Sequence, residues 1–265
     1  TRDELVARAR LADYVLLGEK HDNPDHHRLQ AEVIQALARE GPRPTVAFEM
    51  LSDDDRPKLE LWQKTDPESA AAFADIVDWK HSGWPDFELY RPVFEAAISR
   101  RLPIEPANLS KSQLQALHGG LASMPEVRRR ELGLDAPLSA RARESLADEI
   151  RTGHCGMAND ALVDAMVDVQ RARDASLAAA LIRAGVPAVL IAGAGHVRRD
   201  RGVPLYLARR APERRVLVVA FMEVGREAPD RSELTGAFDL VWWTPRVDDL
   251  DPCTRFKEEL EKLHS

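Results

Sequence analysis

The chain has 265 residues, 44% of them hydrophobic and 31% charged, and a formal net charge of -7. That length allows one large domain with a full core, and the acidic balance argues against the basic patch that a nucleic-acid partner requires. No stretch reaches the roughly 20 apolar residues of a membrane span. The cysteines, Cys155 and Cys253, form neither a disulfide framework nor a zinc ribbon, although one bridge between them is open.

In chain order, Thr1-Arg2-Asp3 is unlike a native start, so an upstream segment is expected to have been removed. Tyr14 to Glu19 is short, apolar and interrupted by Gly18, which reads as a buried strand. Asn23-Pro24-Asp25 is a turn, with Asp25 suited to cap the helix that follows. That helix carries Leu29, Val33, Ile34 and Leu37 on one face and ends near Gly41-Pro42, and Thr45 to Met50 is the next strand. Strand, helix and strand joined by short connections are the βαβ signature.

From 52 to 153 helical patterns dominate, broken by prolines. This stretch is expected to be a mainly helical insertion that forms a lid on a single domain spanning 1–265. Within it, Leu102 to Glu105 reads as a third strand, and aromatics concentrate at Trp62, Phe73, Trp79, Trp84, Phe87, Tyr90 and Phe94. Ala158 to Ala184 reads as a long helix and Val186 to Ala192 as a strand. Val216 to Phe221 and Leu240 to Trp243 are further strands before a charged helical tail, Arg255 to Leu263. The expected fold is α/β, a mostly parallel central sheet flanked by helices.

Two of these strands run into the same short motif. Tyr14-Val15-Leu16-Leu17 leads into Gly18-Glu19-Lys20-His21, and Val189-Leu190-Ile191-Ala192 leads into Gly193-Ala194-Gly195-His196. A third apolar run, Val46-Ala47-Phe48, ends in Glu49. In open α/β sheets ligands bind outside the carboxyl ends of the strands, so Glu19, His21, Glu49 and His196 are expected to share one cleft. Imidazole and carboxylate ligands suit zinc, manganese or iron, and a glutamate or histidine there could act as general base on a water. Glu105 and Asn108 are candidates for the same edge. Asp22, His26 and His27 form a polar run at the helix start; His26 and Gln30, four apart on one helix face, suit a shell that orients a ligand, while His27 reads more as solvating the helix start.

A second surface is chemically dense. Thr152-Gly153-His154-Cys155-Gly156-Met157 offers imidazole, thiol and thioether, and Gln170, Arg173 and Asp174 can face one cavity from the long helix. A salt-bridged helix surface is the commoner fate of such residues. With no Cys-x-x-Cys-His in the chain, any haem would be held non-covalently. An apolar slot from the aromatic insertion, with Tyr90, His154 or His81 as axial ligand, is the arrangement a haem would need.

The motifs together resemble those of the ChaN-like lipoprotein family. The resemblance rests on Gly18 to His27 with Gln30, Phe48-Glu49-Met50, Trp84-Pro85 through Tyr90-Arg91-Pro92, Ala107-Asn108, His154-Cys155-Gly156, Gln170 to Asp174, and Gly193 to Val197. It covers roughly residues 10 to 245. It implies non-covalent haem binding linked to bacterial haem or iron uptake, with Tyr90 or His154 at the iron and Arg91 or Arg173 near the propionates. It also implies a periplasmic or outer-membrane-anchored location, homodimers that sandwich haem, and other uptake proteins as partners. The lipobox cysteine expected of a lipoprotein is not in this chain. The wider superfamily includes Tiki-type metalloproteases, TraB-like proteins and erythromycin esterases. Through it, Glu19, His21, Glu49 and His196 become the alternative, a divalent-metal-dependent hydrolase.

Overall fold

A computed structural model describes residues 1–224 and 234–255. Helix α1 (Arg2–Arg10) precedes strand β1 (Tyr14–Glu19), α2 (Pro24–Arg39) and β2 (Thr45–Ser52). Then come α3 (Arg56–Thr65), α4 (Ala70–Val77), α5 (Phe87–Ile98) and β3 (Ile104–Asn108). Helices α6 (Lys111–Ala116), α7 (Glu126–Leu132), α8 (Ala140–Gly153) and α9 (Asp160–Ala184) lead to β4 (Ala188–Gly193). Helix α10 (Val203–Arg210), β5 (Val216–Glu223), β6 (Leu240–Thr244) and the short α11 (Pro252–Arg255) complete the described chain. Beyond Arg255, the expected charged tail lies outside the described residues. Among the described residues no helix is long and apolar enough to cross a membrane.

The six strands form one sheet in the order β3-β2-β4-β1-β5-β6, every pairing parallel. Central strands covered on both faces must be apolar throughout, and β1 and β4 are buried at every position. Their side chains alternate between two cores. Val15, Leu17, Val189 and Ile191 face a core built with α2 and α5, while Leu16, Leu190 and Ala192 face one built with α9 and α10.

Asn23, not Asp25, caps α2. Its side chain accepts the amides of Asp25 and His26, with Pro24 in the first turn. An Asn followed by Pro places the cap two residues earlier, because proline has no amide to lose at the first helical position.

The helical stretch 52–153 is divided by β3 into two crossovers. The first, α3 to α5, packs on the α2 face, and its aromatics are core. Phe94 stacks on Phe48 at 4.3 Å, and Phe73, Trp79 and Phe87 surround it at ring distances of 4.5 to 5.5 Å. Filling one another's faces in this way leaves no slot among them for a planar ligand, so the expected aromatic haem slot does not form. Trp84, only partly buried, is the exception. The second crossover brings α8 over the carboxyl edge of the sheet.

Candidate functional site

Strand β4 lies between β1 and β2, so the three strand ends that carry Glu19, Glu49 and His196 are neighbours. Glu19 is in register with Gly193. Regular pairing of β2 with β4 ends at Phe48 and Ile191, and the next residue, Glu49, accepts the Gly193 amide through its side chain at 2.8 Å. Asn108 donates to the Glu49 carbonyl at 2.9 Å, fixing the strand end from the β3 side. Gly18 permits the loop after β4 to cross over β1. A Cβ there would lie 2.4 Å from Val197 Cγ2 and 2.9 Å from the Ala194 Cα. The chain's last turn at this edge therefore depends on a missing side chain, not on left-handed backbone.

The four expected residues meet as two carboxylate–imidazole pairs. In one, Glu19 Oε1 lies 3.0 Å from His21 Nδ1 and accepts the Tyr90 hydroxyl at 2.7 Å, and His27 Nε2 approaches Oε2 at 3.2 Å, out of line for a good hydrogen bond. In the other, His196 sits between two carboxylates, with Nδ1 2.6 Å from Asp174 Oδ1 and Nε2 3.3 Å from Glu49 Oε1. The pairs touch at Gly193, where a Cβ would stand 3.1 Å from His21 Nε2 and 3.7 Å from Glu49 Oε2.

Burial alone would keep these acids neutral. For Glu19 the contacts from His21 and His27 win, holding it down at about 2. Burial pushes Glu49 up as well, but the His196 charge and the Gly193 amide hold it well below the usual carboxylate range. Burial opposes the imidazolium of His196 too, yet Glu49 and Asp174 drive it up to about 10. Asp174, whose burial outweighs His196, rises to about 6. His21 is also raised, by Glu19 and Glu49 against its burial. His26 is different. Burial lowers it to about 4, and it serves as a neutral strut between the Lys20 amide at 2.9 Å and the Thr244 hydroxyl at 2.9 Å.

The site therefore differs from the expected metal centre. Among the described residues no three His, Cys, Asp or Glu side chains converge to hold a metal ion. Glu49 and His196 have committed their lone pairs and protons to each other, to Asp174 and to a backbone amide. Two other expectations are corrected. Tyr90 is fully buried behind the cluster, its phenol pushed far above the ordinary range by burial and by Glu19, so it stays protonated as a donor and offers no tyrosinate to iron. Arg91 lies against Glu88 and over the Phe87 ring, lining neither of the two cavities at this edge. Glu105 likewise serves elsewhere, in ion pairs with Arg56 and Arg183.

Those two cavities flank the pairs. One, of about 430 Å³, is lined by His21, His154 and His196, by Leu146, Ile150 and Met166, and by Gln170 and Asp174. The other, of about 590 Å³, is lined by Glu49, Met50, Lys58, His81, Trp84 and Arg173 among others. Trp84 meets the His21 ring edge-on at 5.0 Å and so stands between them. Arg173 thus parts from Gln170 and Asp174, which were expected to share its cavity. The His154 Nδ1 donates to the Ile150 carbonyl at 2.8 Å, which fixes the ring against the end of α8. Its neighbour Cys155 is bonded to Cys253, tying the loop after α8 to the end of the described chain.

Two functional positions escaped sequence reasoning. His27, read as a solvating residue, is fully buried against Glu19 and Tyr90, the ring centroids of His27 and Tyr90 being 4.1 Å apart. Asp174 was placed on a helix face but not identified as the partner of His196. The available signal was its spacing of four from Gln170, on a helix that leads into the strand of the second motif.

The fold is shared with a solved structure. A structure of Campylobacter jejuni ChaN, described as binding haem cofacially, superposes with a TM-score of 0.70 at 22% identity, covering 86% of this chain and 87% of that chain. The type III effector HopBA1 gives a TM-score of 0.47 at 16% identity, covering 85% of this chain and 84% of that one. A mutant of the erythromycin esterase EreC in its open conformation gives 0.42 at 12% identity, covering 84% and 73%. No curated protein matches the chain. Residues 5–207 match the family described as haem-binding uptake, Tiki superfamily, ChaN, and the chain belongs to that family.

Proposed function

We propose that this chain binds haem non-covalently at the carboxyl edge of its sheet, as cargo of a bacterial haem or iron acquisition system. The observation that carries the reading is the family match over residues 5–207, borne on a fold with an open cleft at that edge. The residues of the 430 Å³ cavity suit a haem: Leu146, Ile150 and Met166 supply apolar wall, and His154 brings an imidazole to it. Gln170 Oε1 is buried in this wall without a partner, a polar atom that a bound group or its water would satisfy. His154 is the iron ligand in this reading. The Cys155–Cys253 bridge supports an oxidising compartment, and with it a periplasmic or outer-membrane-anchored location. A homodimer that sandwiches haem, with other uptake proteins as partners, belongs to the same reading. Titrating hemin into the protein tests it. A stoichiometric Soret shift is expected, lost in His154→Ala, and its absence from the unaltered protein overturns the proposal.

One observation favours a second reading, acid–base catalysis of hydrolysis. His21 is held by Glu19 at Nδ1 and turns Nε2 toward the interval between Gly193 and Glu49, a carboxylate–imidazole arrangement able to take a proton from water. His196 is the weaker base of the two, since both its nitrogens face carboxylates. On this reading His21→Ala abolishes turnover of simple esters while the circular dichroism of the chain stays that of the unaltered protein. Ester turnover that survives the substitution refutes it.

A further inference from the structure

The strands are parallel, so the loops that enter β1 to β5 gather at the amino edge of the sheet, opposite the cleft. Backbone hydrogen bonds join these loops side by side. The Asp13 amide donates to the Arg215 carbonyl, the Ala188 amide to Asp13, the Thr45 amide to Pro187 and the Val46 amide to Pro103. This edge is cationic in a chain whose net charge is -7. Its acids are matched: Glu40 pairs with Arg10, Asp13 with Arg215 and Glu213 with Arg214. Arg101 reaches out to Glu68. Arg39, Arg43 and Arg100 are left over, exposed, and their guanidinium groups pair with no described residue. Among these cations stands an apolar tip. Leu11 is 65% exposed and Val186 42%, on the loops that enter the neighbouring strands β1 and β4. Beside them a cavity of about 480 Å³ has Ala9, Ala12, Leu37, Pro42, Pro44 and Pro187 in its wall, and its charged residues are the two ion pairs Arg10–Glu40 and Asp13–Arg215. Unmatched arginines around exposed apolar side chains suit an anionic membrane surface, which offers phosphates to the cations and an apolar layer to the tip. A soluble polyanion such as a nucleic acid uses only the charge and leaves Leu11 and Val186 in water.

We propose that the amino edge of the sheet is a docking surface for an anionic phospholipid bilayer, with Arg39, Arg43 and Arg100 on the lipid phosphates and Leu11 and Val186 in the interfacial layer. Strands β1 and β4, each six residues long, separate this edge from the cleft by about 20 Å, so the docked chain keeps its cleft open to solvent. The surface belongs to the folded domain and rests neither on haem as cargo nor on a lipid anchor.

The test is co-sedimentation of the full, unacylated chain with vesicles of phosphatidylcholine, alone or mixed with phosphatidylglycerol, alongside binding to heparin as a soluble polyanion. Binding to the mixed vesicles is expected, weakening as salt is raised, with none to phosphatidylcholine alone. An arginine near an anionic surface is worth about a fivefold change in partitioning. Arg39→Gln combined with Arg43→Gln should therefore weaken vesicle binding by about twenty-five-fold, and adding Arg100→Gln should weaken it further. Lys80→Gln combined with Lys111→Gln, an equal loss of exposed charge at the carboxyl edge, should leave it almost unchanged. Leu11→Ser should weaken vesicle binding and leave heparin binding as it was. All these side chains are exposed, and unchanged circular dichroism checks that each variant folds. Equal binding to both kinds of vesicle, binding to neither, or an equal loss in the two double variants overturns the proposal. So does unchanged vesicle binding in Leu11→Ser, or arginine-dependent binding of heparin without binding of vesicles.

Discussion

The two carboxylate–imidazole pairs at the sheet edge share a composition and differ in what surrounds them. In the His196 pair the ring is 12% exposed and held between Glu49 and Asp174, so charge is balanced inside the protein. In the His21 pair the carboxylate is sealed by Tyr90 and His27, but the ring is 36% exposed at a cavity wall. A buried imidazolium between two acids mainly holds strand ends together, whereas a half-open imidazole with one fixed nitrogen can meet a ligand. Removing one partner of a buried ion pair is far more costly than loosening a solvated one. Stability should therefore reside with His196 and ligand chemistry with His21 and its neighbours.

The sharpest way to break this contrast is His196→Ala. It strands Glu49 and Asp174 as buried acids and should cost about 3–5 kcal/mol in urea unfolding. An unaltered midpoint would remove the structural role assigned to this pair. Alkali should remove the same contribution without a mutation. The folded-state pKa of His196, about 10, lies above its ordinary 6.5, and that of His21 is also raised. The stabilisation is therefore whole below about 6.5 and is lost as pH rises through about 10. Melting temperature should fall over that window, with a shallower slope in His196→Ala than in the unaltered protein.

Gly18→Ala probes the crossing that joins the two motifs. Its Cβ would press on Val197 and on the Ala194 backbone, and overpacking of this kind costs about 1–3 kcal/mol. A neutral result would mean that the loop carrying His196 is free to move aside. The smallest effect belongs to His21→Ala. Glu19 keeps Tyr90 and His27, so the loss should be about 1 kcal/mol, the net worth of one hydrogen bond. A loss as large as that of His196→Ala would erase the distinction between the pairs.

Much of the fold was legible because the strands are fully buried and short. Continuous apolar runs such as Val189 to Ala192, ending in glycine, have few alternatives to a parallel strand. The third strand starts two residues later and ends three residues later than expected, at Ile104–Asn108 instead of Leu102–Glu105. Prolines at 103 and 106 interrupt its apolar pattern while leaving the pairing with β2 intact. The aromatics between Trp62 and Phe94 were harder to assign, since a helix face that will be core and one that will hold a planar ligand share the same spacing.

Sequence by itself determined that Glu19, His21, Glu49 and His196 lie at or just past the carboxyl ends of apolar runs, because local periodicity shows where each run stops. Only the tertiary structure decided that β4 inserts between β1 and β2, that Asp174 arrives from α9 to charge His196, and that Tyr90 turns inward to Glu19. Those are contacts between residues tens of positions apart. Their protonation states and accessibility depend on burial and on neighbouring charge, quantities that no stretch of chain possesses before it packs.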